Sequence, residues 1–144
     1  MTRVVVDASI AAKWVLPRGG EPLAEEAALL LESYRDGEVQ FLVPDLFWAE
    51  VGNVLWKAIR AHRCGLSDAQ TGQKFLHDLR IPTVASHSTL DRAISIAAAF
   101  DRTVYDSLYV AVAILSKCEF ITADEKLVNA LAARLPVKWL GAYF

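Results

Sequence analysis

Short runs of β-branched and aromatic residues recur along this chain, and segments of helical periodicity separate each run from the next. The first is Val4-Val5-Val6; the others fall at residues 41–43, 81–85, 119–122 and 137–140. Strands this short and this apolar are buried on both faces, which favours a parallel sheet with crossover helices on each side. Between them, residues 9–16 read as a helix that Pro17 ends, followed by a flexible loop at Arg18, Gly19 and Gly20. Pro22 opens the next helix, whose apolar face is Leu23, Ala27, Leu30 and Leu31 and whose stop is Gly37. Asp45 caps a long helix to about residue 63, and Gly65 ends it. Ser67 with Gln70, and Ser88 with Asp91, carry the capping-box signature of two more helices, the second reaching Phe100. Another helix starts near Asp106 and runs to about Lys117, and Thr122 with Glu125 opens the last. Pro82 confines the third strand to a sheet edge. With no repeat, low-complexity segment or linker, residues 1–144 read as one α/β domain.

Composition narrows the function. The chain is 54% hydrophobic with a mean hydropathy of +0.29, yet no run approaches the roughly 18 apolar residues of a membrane span. The apolar surplus points to surface covered by another chain, a second copy or a partner. A net charge of -2 and a pI near 5.9 exclude a general polyanion binder. Any nucleic-acid contact must then come from a local basic patch. Cys64 and Cys118 lack metal-ligand spacing and read as free structural thiols. The apolar start is too short for a signal peptide, so a cytoplasmic location is expected.

Lone charges mark where such a fold does chemistry. Asp7 is the only charged residue in the span 4–12, Glu50 the only one in 46–56 and Asp106 the only one in 104–116. A carboxylate taken out of water costs several kcal/mol, which a partner must offset. No lysine, arginine or histidine stands in a matching isolated position, so a divalent cation from outside the chain is the natural counter-charge. Asp7 directly follows the first strand, and Asp124 follows the strand ending at Thr122. Ligands of open parallel sheets sit beyond the carboxyl ends of strands, near the point where strand order reverses. If those two strands are central neighbours, the two carboxylates lie side by side. Glu50 sits about one and a half turns into the helix after the second strand, with Asn53 at i+3 on the same face.

Four oxygen donors without His or Cys suit Mg2+ or Mn2+ rather than zinc. Phosphodiester hydrolysis by an activated water is the chemistry such a cluster favours. Ser9 and Thr122 can orient a carboxylate or a water from behind. Structural alternatives remain for two of the acids: Asp106 as a helix cap and Asp124 as an ordinary first-turn acid. The joint arrangement, more than any one residue, makes the argument. Lys57, Arg60 and Arg63 recur at i, i+3 and i+6 and suit either RNA phosphates or a solvated stripe. His62, His77 and His87 lie on polar stretches and read as solvated, while Trp14, Trp48, Trp56 and Trp139 read as core or interface. Gly19-Gly20 lacks the lysine pattern of a phosphate loop.

These residues resemble the PIN domains, in particular the VapC-type toxins of toxin–antitoxin modules. The resemblance rests on V-V-V-D-A-S at 4–9, E-V-G-N at 50–53, V-Y-D-S-L-Y-V-A-V-A at 104–113 and I-T-A-D-E-K-L at 121–127, and it spans nearly the whole chain. It implies a three-layer α/β/α fold with a five-stranded parallel sheet in the order 3-2-1-4-5. It also implies acids at Asp7, Glu50, Asp106 and Asp124 binding Mg2+ or Mn2+, with hydroxyls at Ser9 and Thr122. By the same resemblance the protein is a homodimeric endoribonuclease acting on structured RNA, tRNA or ribosomal RNA. The resemblance further implies a small antitoxin whose tail blocks the acidic pocket and holds the enzyme inactive. Glu125 occupies the position of a further acid found in some family members, and its role stays open. A PIN-like module that binds RNA or protein without cutting is the rival reading. A haloacid-dehalogenase type of site is disfavoured because Ser9 stands where a second Asp is needed. A receiver domain is disfavoured because it needs an early acidic pair and a late lysine.

Overall fold

The computed structural model describes residues 2–144. Five strands, β1 (Thr2–Val6), β2 (Val39–Pro44), β3 (Thr83–Val84), β4 (Glu119–Thr122) and β5 (Val137–Trp139), form one parallel sheet in the order β3-β2-β1-β4-β5. The expected order is therefore the observed one, and the Pro82 strand does lie at an edge. Seven helices connect the strands: α1 (Ala8–Val15), α2 (Ala24–Arg35), α3 (Leu46–Arg60), α4 (Leu66–Asp78), α5 (Leu90–Phe100), α6 (Val104–Leu115) and α7 (Glu125–Leu131). α1 touches α2, α3 and α4, whereas α5 packs on α6, which lies along β1, β2 and β4. Right-handed crossovers that reverse direction after β3 put these two groups on opposite faces of the sheet.

The interior explains the continuous apolar runs. Val4, Val5 and Val6 are essentially inaccessible, as are Phe41, Val43, Phe120 and Ile121 on the flanking strands. Each such side chain contributes roughly 1.5–3 kcal/mol by leaving water. Trp14 and Tyr34 stack on Phe41 at 5.2 and 4.5 Å between ring centroids, so two of the aromatics complete the core beneath α1 and α2. Both cysteines are free thiols, and all three histidines are exposed. Among the described residues no helix is long and apolar enough to cross a membrane.

Several helix ends differ from expectation, each for a local reason. α2 begins at Ala24, because Leu23 takes a left-handed conformation (φ 59°) after Pro22. α3 stops at Arg60, where His62 turns left-handed (φ 57°), so Gly65 does not end it but precedes α4. At the start of α4 the Gly65 amide donates to Asp68 Oδ2 at 3.0 Å, one half of a capping box, since glycine has no side chain to return the bond; Ser67 already lies inside the first turn. Asp45 does not cap α3: its own backbone is helical, and its carboxylate accepts instead from the Ser86 amide and hydroxyl. Ser88 lies in a 3-10 turn and donates to the Ala85 carbonyl, leaving Thr89 to precede α5. Thr103 caps α6, and Asp124, not Thr122, caps α7. Gly37 behaves as the sequence suggests, ending α2 with φ 77°.

Candidate active site

β1 and β4 are hydrogen-bonded neighbours with Val6 in register with Ile121, so the chain leaves both strands at the same end of the sheet. Asp7 is the first residue past β1 and, having extended backbone geometry, N-caps α1. Its Oδ1 accepts from the Ser9 amide at 3.1 Å, the Ile10 amide at 3.4 Å and the Ser9 hydroxyl at 2.5 Å. Oδ2 accepts from the Thr122 hydroxyl at 2.6 Å. Each hydroxyl then accepts in turn: Ser9 Oγ from the Ala123 amide and Thr122 Oγ1 from the Asp124 amide, both at 3.1 Å. The two strand-to-helix junctions are thereby stitched together through Asp7. Thr122, expected to open a helix, is fully buried and spends its proton on that carboxylate.

The other three acids arrive from separate elements. Glu50 stands on α3 and accepts a 2.5 Å hydrogen bond from the Tyr109 hydroxyl. Asp106 lies in the first turn of α6, its amide held by Thr103 Oγ1 at 3.1 Å, so the cap is Thr103 and the Asp106 side chain is free of that duty. Asp124 is exposed and accepts from the Leu127 amide at 3.2 Å while capping α7. All four line one open cleft of about 460 Å³. Ser9, Asn53 and Lys57 also face it.

Electrostatics mark the cleft as short of positive charge. Burial pushes Asp7 up to about 6, against the lowering effect of the Ser9, Thr122 and Ile10 donors, and the Glu50 charge adds to the rise. Asp106 is also raised, by burial and then by the charge of Asp124, with Arg102 offsetting part of it. Burial likewise lifts the Tyr109 phenol well above its usual range, helped by its bond to Glu50 and by the surrounding carboxylates. Among the described residues the ion pairs are Lys13–Glu21, Arg63–Glu21 and Lys138–Glu119, and none involves these four acids.

Of Lys57 and Arg60 on α3 and Arg63 just beyond it, Lys57 alone reaches the cleft. Arg63 is bound to Glu21 at 2.8 Å, and Arg60 lies over the Trp56 ring at 4.9 Å. Tyr109, missed at the sequence level, lines the cleft; the available signal was its i+3 spacing from Asp106 within V-Y-D-S-L-Y-V.

The donor set consists of hard oxygens with no imidazole or thiolate, which fits a divalent cation such as Mg2+ or Mn2+. The fit is one of chemistry more than of preformed geometry. Among the described residues no three Asp, Glu, His or Cys side chains are gathered tightly enough to make a ready coordination shell. Four acids sharing a cleft, one of them buried and unpaired, nevertheless lack the charge a cation would bring.

No curated protein matches this chain in sequence. Among solved structures the fold is similar to PAE2754 from Pyrobaculum aerophilum (TM-score 0.71, 21% identity, covering 97% of this chain and 85% of that one). It is also similar to the VapC20 toxin of Mycobacterium tuberculosis, described as cleaving the sarcin-ricin loop (TM-score 0.66, 15% identity, 89% and 95% covered). A toxin–antitoxin complex from Klebsiella pneumoniae is a third (TM-score 0.62, 18% identity, 94% and 95% covered). At these identities the likeness is one of fold. Residues 4–132 match the PIN domain family along most of their length, and the chain belongs to that family.

Proposed function

We propose that this PIN domain is a divalent-metal-dependent endoribonuclease, the toxin of a toxin–antitoxin pair, with Asp7, Glu50, Asp106 and Asp124 as its metal-binding and catalytic acids. The observation that carries the reading is the convergence of these four carboxylates, from four separate segments, on one cleft without a paired lysine or arginine. A bound Mg2+ or Mn2+ supplies Lewis acidity, easing water deprotonation and offsetting charge on the phosphate oxygens. The chain's own groups do the rest. Ser9 and Thr122 hold Asp7 with both oxygens engaged, so that carboxylate is fixed before any ligand arrives. Thr103 fixes the start of α6 and with it Asp106. Lys57 and Asn53, on the cleft wall, suit a phosphate and a sugar or base edge of the RNA. Arg60, stacked on Trp56 at the exposed side of α3, can meet phosphate farther along the strand, whereas Arg63 is committed to Glu21.

The substrate is structured RNA, tRNA or ribosomal RNA; the VapC20 likeness supports that class. The partner is a small VapB-type antitoxin, in keeping with the toxin–antitoxin complex among the similar folds. The chain acts in the cytoplasm as one PIN domain, 1–144, paired with a second copy. A non-catalytic PIN-like binding module is the second reading, favoured by the absence of a gathered coordination shell among the described residues.

A cleavage assay separates the two. Purified protein with structured RNA and Mn2+ cuts, chelator stops it, and Asp7→Asn and Asp106→Asn each lower the rate at least about a hundredfold while circular dichroism stays native. Wild-type cutting by either variant, or cutting unaffected by chelator, sinks the assignment.

A further inference from the structure

Glu50 differs from the other three acids in how it is held. Asp7 has local donors at Ser9 and Ile10 in addition to Thr122, Asp124 is tied by the Leu127 amide three residues on, and Asp106 sits on a capped first turn. Glu50 has the longest side chain of the four, stands half-buried on α3 and has no local donor: its side-chain hydrogen bond among the described residues comes from the far side of the cleft. That donor is Tyr109, on α6, 59 positions away in sequence. Tyr109 is itself packed in: it is 3% exposed, and its ring stacks on Phe120 of β4 at 5.3 Å and 13°.

We infer that Tyr109 is a positioning residue for Glu50, a neutral strut that fixes one carboxylate oxygen and leaves the other for the cation. The inference rests on the metal-nuclease reading above and adds a residue to it. Ordering a free glutamate side chain costs rotamer entropy, and a donor already held by packing meets that cost before the ligand binds. A lysine or arginine in the same place would hold Glu50 as firmly but would cancel the charge a cation needs. A phenol orients it while leaving the charge intact. The bond also couples α3 to α6, helices on opposite sides of the cleft, so the placement of Glu50 relative to Asp106 depends on it.

Tyr109→Phe deletes the oxygen and keeps the stacked ring. Mn2+ binding, read by calorimetry in the absence of RNA, is expected to weaken about tenfold, while chelator-treated protein keeps its circular dichroism. The same substitution made in a Glu50→Gln background is expected to change Mn2+ affinity less than about twofold, because the strut then has no anion to hold. A merely structural tyrosine would not show that dependence on Glu50. Wild-type binding unchanged in Tyr109→Phe, or an equal loss in both backgrounds, overturns this inference and leaves the nuclease reading standing. A wild-type protein that binds no Mn2+ at millimolar concentration overturns both.

Discussion

Asp7 illustrates how one residue serves two ends that pull against each other. It caps α1 and bridges to Thr122, yet its carboxylate is buried and raised to about 6. Because its ordinary value is near 3.8, the folded chain binds the Asp7 proton more tightly than the unfolded chain does between those two pH values. This contribution to metal-free stability is present in full below pH ~4 and is lost as the pH climbs through 6, a change of roughly 3 kcal/mol. Asp7→Asn should therefore melt higher than wild type at pH 7.5 in chelator, by roughly 6–12 °C, with the gap narrowing to about a third of that at pH 4.5. Fluorimetric melting at the two pH values tests this; a gap independent of pH would remove burial as the cause. Asp7, Glu50 and Asp106 were legible in the sequence because each is a single charge in an apolar stretch, which only a function or a partner explains. Tyr109 was not, since an aromatic in an apolar helix has the same signature whether or not its hydroxyl has work to do.

Among elements, the parallel strands were readable, because a doubly buried strand leaves little choice of residue, whereas their order came from the resemblance to PIN domains and not from patterning. Helix ends were not. Ser67, Ser88 and Asp45 all satisfy a capping pattern, but the pattern needs only a small polar residue, and the chain offers several within each loop. The left-handed backbone of Leu23 decided where α2 starts, and that of His62 where α3 stops. Close approach between helices is equally silent in sequence. In α4, a Cβ on Gly72 would lie 2.9 Å from Cβ of Val15 on α1, whereas one on Gly52 of α3 would meet nothing within 4 Å. Opposite signs follow from the same substitution. Gly72→Ala should lose about 1 kcal/mol, because crowding a stiff β-branched neighbour outweighs the helix-propensity gain, and Gly52→Ala should gain about 0.5–1 kcal/mol. Urea midpoints of the two variants decide; a stabilised Gly72→Ala would mean that α1 and α4 can move apart at little cost.

For the molecule as a whole, the proposed cation is a stabiliser as well as a reagent. If it binds the folded chain and not the unfolded one, Mn2+ at about a hundred times its dissociation constant adds roughly 2.7 kcal/mol. The melting temperature should rise by several degrees in wild type and by less in Glu50→Gln; no rise in the wild type, or an equal rise in both, argues against the four-acid site. Apolar surface sets the second expectation at this scale. Leu90 and Ile94, one turn apart on α5, are 40% and 52% exposed. Light scattering should give about twice the 15.9 kDa chain mass at micromolar concentration, and Ile94→Asp should bring it down to one. A monomeric wild type would remove the pairing.

The stitch between Asp7 and Thr122 also has a consequence in time. Its two ends are 115 positions apart, so a chain emerging from the ribosome has carried its first acid through most of synthesis before the residue that holds it is made. Contacts of such separation form late, after the costs of loop closure have been met. A prematurely ended product that stops short of β4 has no partner for β1 on that side and lacks Thr122 and Asp124. Because Thr122 holds Asp7 and Asp124 supplies the fourth acid, the cleft is complete only when translation is nearly finished.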